Sequence, residues 1–511
     1  MRYKIVTMLF LLTATSAILQ PIHAQNFDRR IIGFYTSWST GDRNFHVQNI
    51  PVDSVTHIYY AFAKIEDGEI ALGDEYADID RFYEGDSWNR DSLRGCFHQL
   101  QILKAERPHL KTIIVIGGDI HSIYFSDVAL TPESRRVFSV SCSEFVEKYD
   151  FDGIDIDWEY PVEGGHEDNQ QREEDGENLT LLASALRLQL DMLSLRTGRD
   201  YHLSISASGN VLYAENIEVS HLMRYLDWIN VMTYDFHGPW GGVADNVTNF
   251  NSPLYRAEDD PLDEPYHSSF NMQSAIFYYL DQGVPPDRLN VGFAFYGRGY
   301  GNVEESEFGM FVPYDGPSEE GTWQEGIYEY WDLTFSYIDR RGYTSYWHED
   351  AKVPWLYNPI SHVTISYDNG RSLSEKAQFI KMQHLGGVVF WDFSADKNRE
   401  LISVLYDEFV IPNSSVSDGD ADFPHGFALN VPVPNPFNSS TRISYRLPYS
   451  GNVTIKIYDT SGSLIDVLVN ERRAAGDHDV IWEPDSKISG LHFVRMEAGD
   501  VVIVQKVLQI N

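Results

Sequence analysis

The stretch Asp152-Gly153-Ile154-Asp155-Ile156-Asp157-Trp158-Glu159 alternates acids with bulky apolar residues from Ile154 onward. Side chains on a β-strand point alternately to its two faces, so Asp155, Asp157 and Glu159 share one face while Ile154, Ile156 and Trp158 share the other. An apolar outer face suits a strand covered by helices, which turns the carboxylates toward the interior of a parallel barrel at its C-terminal mouth. Two other settings give a similar pattern, the solvated face of an antiparallel strand and a divalent-metal site built from the three acids. The apolar opposite face speaks against the first. No His follows at ligand spacing, so neither a metal nor a cofactor is expected.

On both sides of this row, between Arg30 and Val410, short apolar runs alternate with longer amphipathic ones, the texture of strands followed by helices. Apolar runs occur at Ile31–Tyr35, His57–Phe62, Thr112–Ile116, Gly153–Glu159, Leu203–Ala207, Trp228–Tyr234, Val291–Tyr296 and Gly387–Trp391. They predict an α/β chain folded as a (β/α)8 TIM barrel over 25–410. Residues 299–368 are rich in aromatics and poor in helical periodicity, too long for one loop, and read as an α+β insertion. Its tryptophans, Trp323, Trp331, Trp347 and Trp355, are expected mostly in the insertion's own core.

Residues 1–24 carry Arg2 and Lys4, then the apolar Ile5–Leu19, then Pro21-Ile22-His23-Ala24, the layout of a secretory signal peptide cleaved after Ala24. The apolar core is too short to favour a membrane span. Residues 411–425 are polar and read as a linker. In 426–511, short β-branched and aromatic runs between Gly, Pro and Asp turns predict a small β-sandwich. Against 39 Lys plus Arg stand 76 Asp plus Glu, a net charge of −37. Nucleic acid and anionic membranes would be repelled by such a surface, whereas a neutral polymer would not. With 11 Trp and 31 Tyr the chain has ample material for aromatic platforms. Cys96 and Cys142 are its only cysteines, so disulfides do not build the fold.

Three carboxyls in one partly buried row cannot all ionise, so at least one pKa should rise and a proton be shared along the row. A carboxyl held protonated near neutral pH is what a glycosidic leaving oxygen requires. Glu159, the longest of the three and nearest the mouth, is the candidate proton donor.

At these residues the chain resembles glycoside hydrolase family 18, the chitinases, whose signature Asp-x-x-Asp-x-Asp-x-Glu is matched at Asp152, Asp155, Asp157 and Glu159. The likeness extends to Thr56–Phe62, Tyr225–Gly238, Asn251–Tyr255, Phe295–Arg298 and Gly386–Trp391. The resemblance implies a substrate-assisted retaining mechanism, in which the substrate's own 2-acetamido oxygen attacks the anomeric carbon. It further implies that Glu159 protonates the leaving oxygen, that Asp157 holds the acetamido N–H, that Asp155 completes the row and that Tyr234 donates to the acetamido oxygen. Met232, Asp235, Tyr296, Arg298, Phe62 and Gly118 would line the sugar site, with Trp391 as its stacking floor. The implied substrate is chitin or its oligomers. An endo-acting hydrolase of the N-glycan chitobiose core and a chitin-binding lectin on the same barrel are the alternatives.

The sequence departs from that family at three points. Many members have Ser where Val115 stands, Tyr where Phe34 stands and Trp where Asp119 stands. The first two changes predict that Asp155 has lost polar support. The third removes a stacking platform, which Tyr124 or Phe125 is expected to replace. The tail, with Leu429–Asn438, Ile455–Asp459, Trp482 and Gln505–Leu508, resembles the C-terminal sorting domain of the type IX secretion pathway. That likeness implies a bacterial protein secreted or attached at the cell surface, with the type IX machinery as a partner. A carbohydrate-binding sandwich is the rival reading, for which Trp482 is the one tryptophan available.

Overall fold

A computed structural model describes residues 27–89, 92–410, 428–429, 432–447, 451–459, 463–473, 476–484, 490–498 and 501–510. The expected leader at 1–24 and the expected linker at 411–425 lie outside the described residues. The strands of the larger part are β1 (Arg30–Thr36), β2 (His57–Glu66), β3 (Glu69–Ala71), β4 (Lys111–Gly117), β5 (Gly153–Asp157), β6 (His202–Ser208) and β7 (Trp228–Met232). They continue with β8 (Leu289–Ala294), β9 (Tyr296–Tyr300), β10 (Ile327–Glu329), β11 (Thr344–His348), β12 (Val353–Asn358), β13 (Val363–Ser366) and β14 (Gly387–Trp391).

Eight of these form a parallel barrel in the order β1-β14-β8-β7-β6-β5-β4-β2, closed by pairing of β1 with β2. The fold is therefore the (β/α)8 TIM barrel. The strands Ile31–Thr36 and Thr112–Gly117 are buried residue after residue, as strands covered on both faces require. Between them run helices such as Pro132–Tyr149, started by Thr131, whose hydroxyl accepts from the Ser134 N–H, with Pro132 in the first turn. At the end of β4, Gly117 takes φ +111°, and a Cβ there would lie 2.1 Å from the Asp157 carbonyl oxygen. Only glycine lets β4 approach the end of β5 this closely.

After β8, the chain runs through Phe295 straight into a second, antiparallel sheet of order β10-β9-β13-β12-β11. It thus begins at Tyr296, ahead of residue 299. Of its tryptophans, Trp355 is buried with Phe250, Tyr300 and Tyr357, whereas Trp323 is 41% exposed and Trp331 and Trp347 are half-buried. The expectation that most would form a core fails, because Trp323 and Trp331 face the cations Arg43 and Lys397. Cys96 and Cys142 are separate, buried thiols.

In the tail, β15 (Ala428–Leu429), β16 (Thr441–Leu447) and β19 (Gly476–Trp482) make one sheet. The other holds β17 (Gly451–Tyr458), β18 (Leu464–Arg473), β20 (Gly490–Ala498) and β21 (Val501–Gln509) in the order β18-β17-β20-β21. Ile443, Tyr445, Ile455, Trp482, Val494 and Met496 are part of their shared core.

Candidate active site

β5 ends at Asp157, so Glu159 sits just past the strand rather than in it. Its position is set by the backbone. The Glu159 N–H donates to Ser122 Oγ at 2.9 Å, and Asn169 Nδ2 donates to the Glu159 carbonyl at 2.6 Å. The Gly118 N–H donates to the Asp157 carbonyl at 2.7 Å, tying the loop after β4 to the end of the acid row. The peptide bonds Ala61–Phe62, Glu159–Tyr160 and Trp391–Asp392 are cis.

At the bottom of the row, Asp155 is fully buried and accepts from Ser204 Oγ (2.5 Å), Ser206 Oγ (2.7 Å) and Asn230 Nδ2 (3.0 Å). These donors stand on β6 and β7. The expectation that Asp155 lacks polar support is thus corrected. Val115 and Phe34 do pack as an apolar cluster with Ile32, Tyr59, Ala61 and Phe62, but the neighbouring strands on the other side supply three donors. Burial still raises the Asp155 pKa to about 7 against the pull of those hydrogen bonds. Asp157, in the middle, is buried, and its Oδ1 has no hydrogen-bond partner. Its pKa is pushed well up by burial and then by Glu159, Asp155 and Asp119.

The half-buried Glu159 has its pKa raised to about 7, by burial first and then by the charges of Asp119 and Asp235, with a hydrogen bond from Tyr160 opposing. Proton release from such a group belongs to the row as a whole. The sign is definite: the carboxyl is protonated below about pH 7 and loses its proton as pH rises through that value. If Glu159 is the proton donor, kcat/KM should show an alkaline limb near pH 7, well above the ordinary carboxyl range. A limb set by an unshifted carboxyl would contradict this environment.

Above the row opens a cavity of 660 Å³. Phe62, Asp157, Glu159, Met232, Tyr234, Asp235, Tyr296, Arg298 and Trp391, all singled out from the sequence, line it. On the floor Trp391 lies against Phe34 (ring centroids 5.1 Å), Phe62 (5.8 Å) and Trp38 (6.2 Å). Tyr234 stands past the end of β7, edge-on to Tyr296 at 6.2 Å. Burial and the nearby carboxylates hold its hydroxyl protonated, so it acts as a donor. Arg298 grips Asp235 with both ends of its fork, Nε to Oδ1 at 2.8 Å and a terminal nitrogen to Oδ2 at 2.7 Å. Its guanidinium lies over the rings of Trp240 and Tyr296 at 5.3 and 5.1 Å.

Asp155 and Gly118 do not line the cavity: Asp155 lies beneath it. Gly118 supports Phe62, and a Cβ there would lie 2.5 Å from the Phe62 ring. Phe125 cannot replace a stacking platform, because it is fully buried against Trp158 at 5.3 Å. Tyr124 is exposed and is not part of the lining. Sequence reasoning missed Trp38, Arg43, Trp240 and Glu329 as lining residues. Arg43 Nε donates to Glu329 Oε1 at 2.7 Å, joining the loop after β1 to the end of β10. A usable signal was present for Trp38 and Trp240, each an aromatic a few residues past a barrel strand.

The arrangement offers a protonated acid at the mouth, a buried carboxyl oxygen lacking a partner, a neighbouring phenol donor and an aromatic floor. Such a site can protonate a leaving group beside a held polar substituent. Residues 30–396 match the family described as glycosyl hydrolases family 18. Chitinase A1 of Niallia circulans is 38% identical over 423 residues, covering 76% of this chain and 60% of that enzyme's length. Chitinase ChiA of Flavobacterium johnsoniae is 28% identical, covering 92% of this chain and 32% of its own. The solved structure of chitinase ChiA74 from Bacillus thuringiensis superposes with a TM-score of 0.70 at 27% identity, covering 94% of this chain and 85% of that one.

Proposed function

The chain belongs to glycosyl hydrolases family 18, and we propose that it is a chitinase cleaving β-1,4 bonds between N-acetylglucosamine units by substrate-assisted retaining catalysis. The observation carrying this reading is the pairing at one cavity of Glu159, whose pKa is raised to about 7, with the unpartnered Oδ1 of Asp157. In the proposed reaction the acetamido oxygen attacks the anomeric carbon as Glu159 gives its proton to the leaving oxygen. The C–O bond to the leaving sugar breaks, and an oxazolinium ion forms. Asp157 accepts the acetamido N–H and compensates the developing positive charge, while the Tyr234 hydroxyl donates to the acetamido oxygen. Glu159, now a carboxylate, takes a proton from the water that opens the ring. Trp391 floors the reacting sugar, and Met232, Asp235, Tyr296 and Arg298 frame it.

This reading ranks chitin oligomers above the N-glycan core, because the second sheet adds Tyr296, Arg298, Ile327 and Glu329 to the wall of the cavity that Trp391 lines. With chitin oligomers and a high-mannose glycoprotein assayed side by side, the oligomers should turn over faster. Faster turnover of the glycoprotein would overturn the substrate assignment, and binding without turnover of either would favour a lectin.

Residues 1–24 act, in this proposal, as an export signal. Residues 426–511 act as a type IX sorting domain that leads to release or attachment at the cell surface, with the barrel at 25–410, an insertion that runs from Tyr296, where the second sheet starts, to 368, and a linker at 411–425. Two observations support it: the match to the Flavobacterium johnsoniae chitinase covers 92% of this chain and so reaches into the tail, and Trp482 is only 1% exposed, leaving no tryptophan platform for a sugar there.

A further inference from the structure

Six carboxyl groups line the cavity, those of Asp119, Asp157, Glu159, Asp235, Glu329 and Asp392. The guanidiniums lining it, Arg43 and Arg298, are each committed to one of these, Glu329 at 2.7 Å and Asp235 at 2.7 Å. Asp392 is turned to its own loop, accepting from the N–H and hydroxyl of Ser394 and the N–H of Ala395. Asp157 and Glu159 belong to the acid row. Asp119 differs from all of them: it is exposed, opens the short turn Asp119–His121 beyond β4, and enters no hydrogen bond or ion pair among the described residues. The nearby cation on that wall, Lys64, which acts on His121, lies 3.5 Å from Glu66. The groove therefore keeps one solvent-facing negative charge with no counter-charge. A groove for a wholly neutral polymer gains nothing from it.

We propose that the Asp119 carboxylate is a specificity-determining residue that favours a free, protonated 2-amino group on the leaving sugar, so that the enzyme selects bonds in partly deacetylated chitin with N-acetylglucosamine on one side and glucosamine on the other. The inference rests on the substrate-assisted reading above. That chemistry demands an acetamido group only on the sugar that is attacked, and the next sugar is free to carry an amine. Asp119 is assigned to the leaving side because its turn is bonded to the backbone of the proton donor, the Glu159 N–H donating to Ser122 Oγ at 2.9 Å and the Ser122 hydroxyl to the Gly118 carbonyl at 2.8 Å, whereas in the reading above the reacting sugar lies over Trp391. An ammonium at this place meets an unpaired, solvent-exposed carboxylate, an attraction that salt weakens.

The test is a digest of soluble, partly N-deacetylated chitin at mildly acidic pH, with identification of the sugars at the newly formed chain ends. Wild-type enzyme should place glucosamine at new non-reducing ends about two- to fivefold above its share in the polymer, the range one solvent-exposed ion pair supports. New reducing ends should be N-acetylglucosamine throughout. Asp119→Asn and Asp119→Ser should bring the non-reducing ends down to the polymer's own composition, and high salt should do the same to the wild type. Unbiased non-reducing ends in the wild type, or a bias untouched by salt and by both substitutions, would overturn the proposal. Glucosamine at the new reducing ends would instead overturn the substrate-assisted reading beneath it. Because the readout is a ratio of ends, a change in overall rate does not affect it, and the salt series needs no variant to fold.

Discussion

Replacing Glu159 with Gln should leave chito-oligomer binding nearly unchanged and lower turnover about 10²- to 10⁴-fold, the usual contribution of a positioned general acid. The amide keeps the shape of the side chain and its backbone anchors, the N–H to Ser122 and the carbonyl to Asn169, which involve no side-chain atom of Glu159. It removes only the proton. The loss should therefore fall on kcat, with KM little changed. The alkaline limb near pH 7 should disappear from whatever activity is left, since the group that titrates to about 7 at the mouth is gone. Single-turnover kinetics with oligomer binding followed by tryptophan fluorescence would separate the two effects, Trp391 being in the floor. Unchanged turnover would remove Glu159 from the chemistry altogether.

Asp157→Asn should cost about a hundredfold in kcat by a different route. Its free Oδ1 is buried and has no hydrogen-bond partner. Leaving such an atom unpaired is costly, and the acetamido N–H offers the missing donor. Asn retains an oxygen able to accept that N–H but cannot take on negative charge, so the compensation of the oxazolinium ion is lost while the sugar still binds. The pKa of Glu159 is raised by burial, Asp119 and Asp235. Because Asp157 and Glu159 release protons as one row, the alkaline limb is free to move in this variant, and the expected result is the fall in kcat at the plateau. A shift of the limb with kcat preserved would mean that Asp157 only tunes the proton donor and does not hold the substrate.

The barrel and the acid row were legible because both rest on local alternation. The apolar runs that suggested eight strands all lie in the observed barrel, for instance Thr112–Ile116 within β4 and Leu203–Ala207 within β6. Their ends were less legible. Glu159, Tyr234 and Tyr296 were read as the last residues of strands but stand beyond β5, β7 and β8, the first two in half-buried loop positions at the mouth and Tyr296 at the start of β9, because the alternation continues past the strand ends. In the tail, β18 offers no such alternation: Leu464–Arg473 carries Asp466, Glu471, Arg472 and Arg473, and its pairing with β17 has register shifts at Ile455/Lys456 and Ile457/Tyr458 that break a simple period.

What stayed hidden depends on neighbours distant in the chain. Asp155 looked deprived of support when only β1 and β4 were considered, yet Ser204, Ser206 and Asn230 stand 49 or more positions away in sequence. The Arg43–Glu329 pair spans 286 positions and joins two loops whose meeting no periodicity announces. Asp119 is the reverse case. Its departure from the family pattern was visible in the sequence as a lost aromatic, but its isolation as a charge emerges only once Arg43 and Arg298 are seen to be committed elsewhere.

The central claim is that one enzyme acid is enough because the substrate's acetamido group supplies the nucleophile. Its most direct measurement is the anomeric form of the products released in the first seconds of hydrolysis of an N-acetylglucosamine hexamer, followed before mutarotation by NMR or by rapid chromatography. Attack by the acetamido oxygen followed by water inverts the anomeric carbon twice, so new reducing ends should emerge as the β-anomer. New ends in the α-anomer would mean direct attack by water, which requires a second enzyme carboxylate as base and would contradict the account.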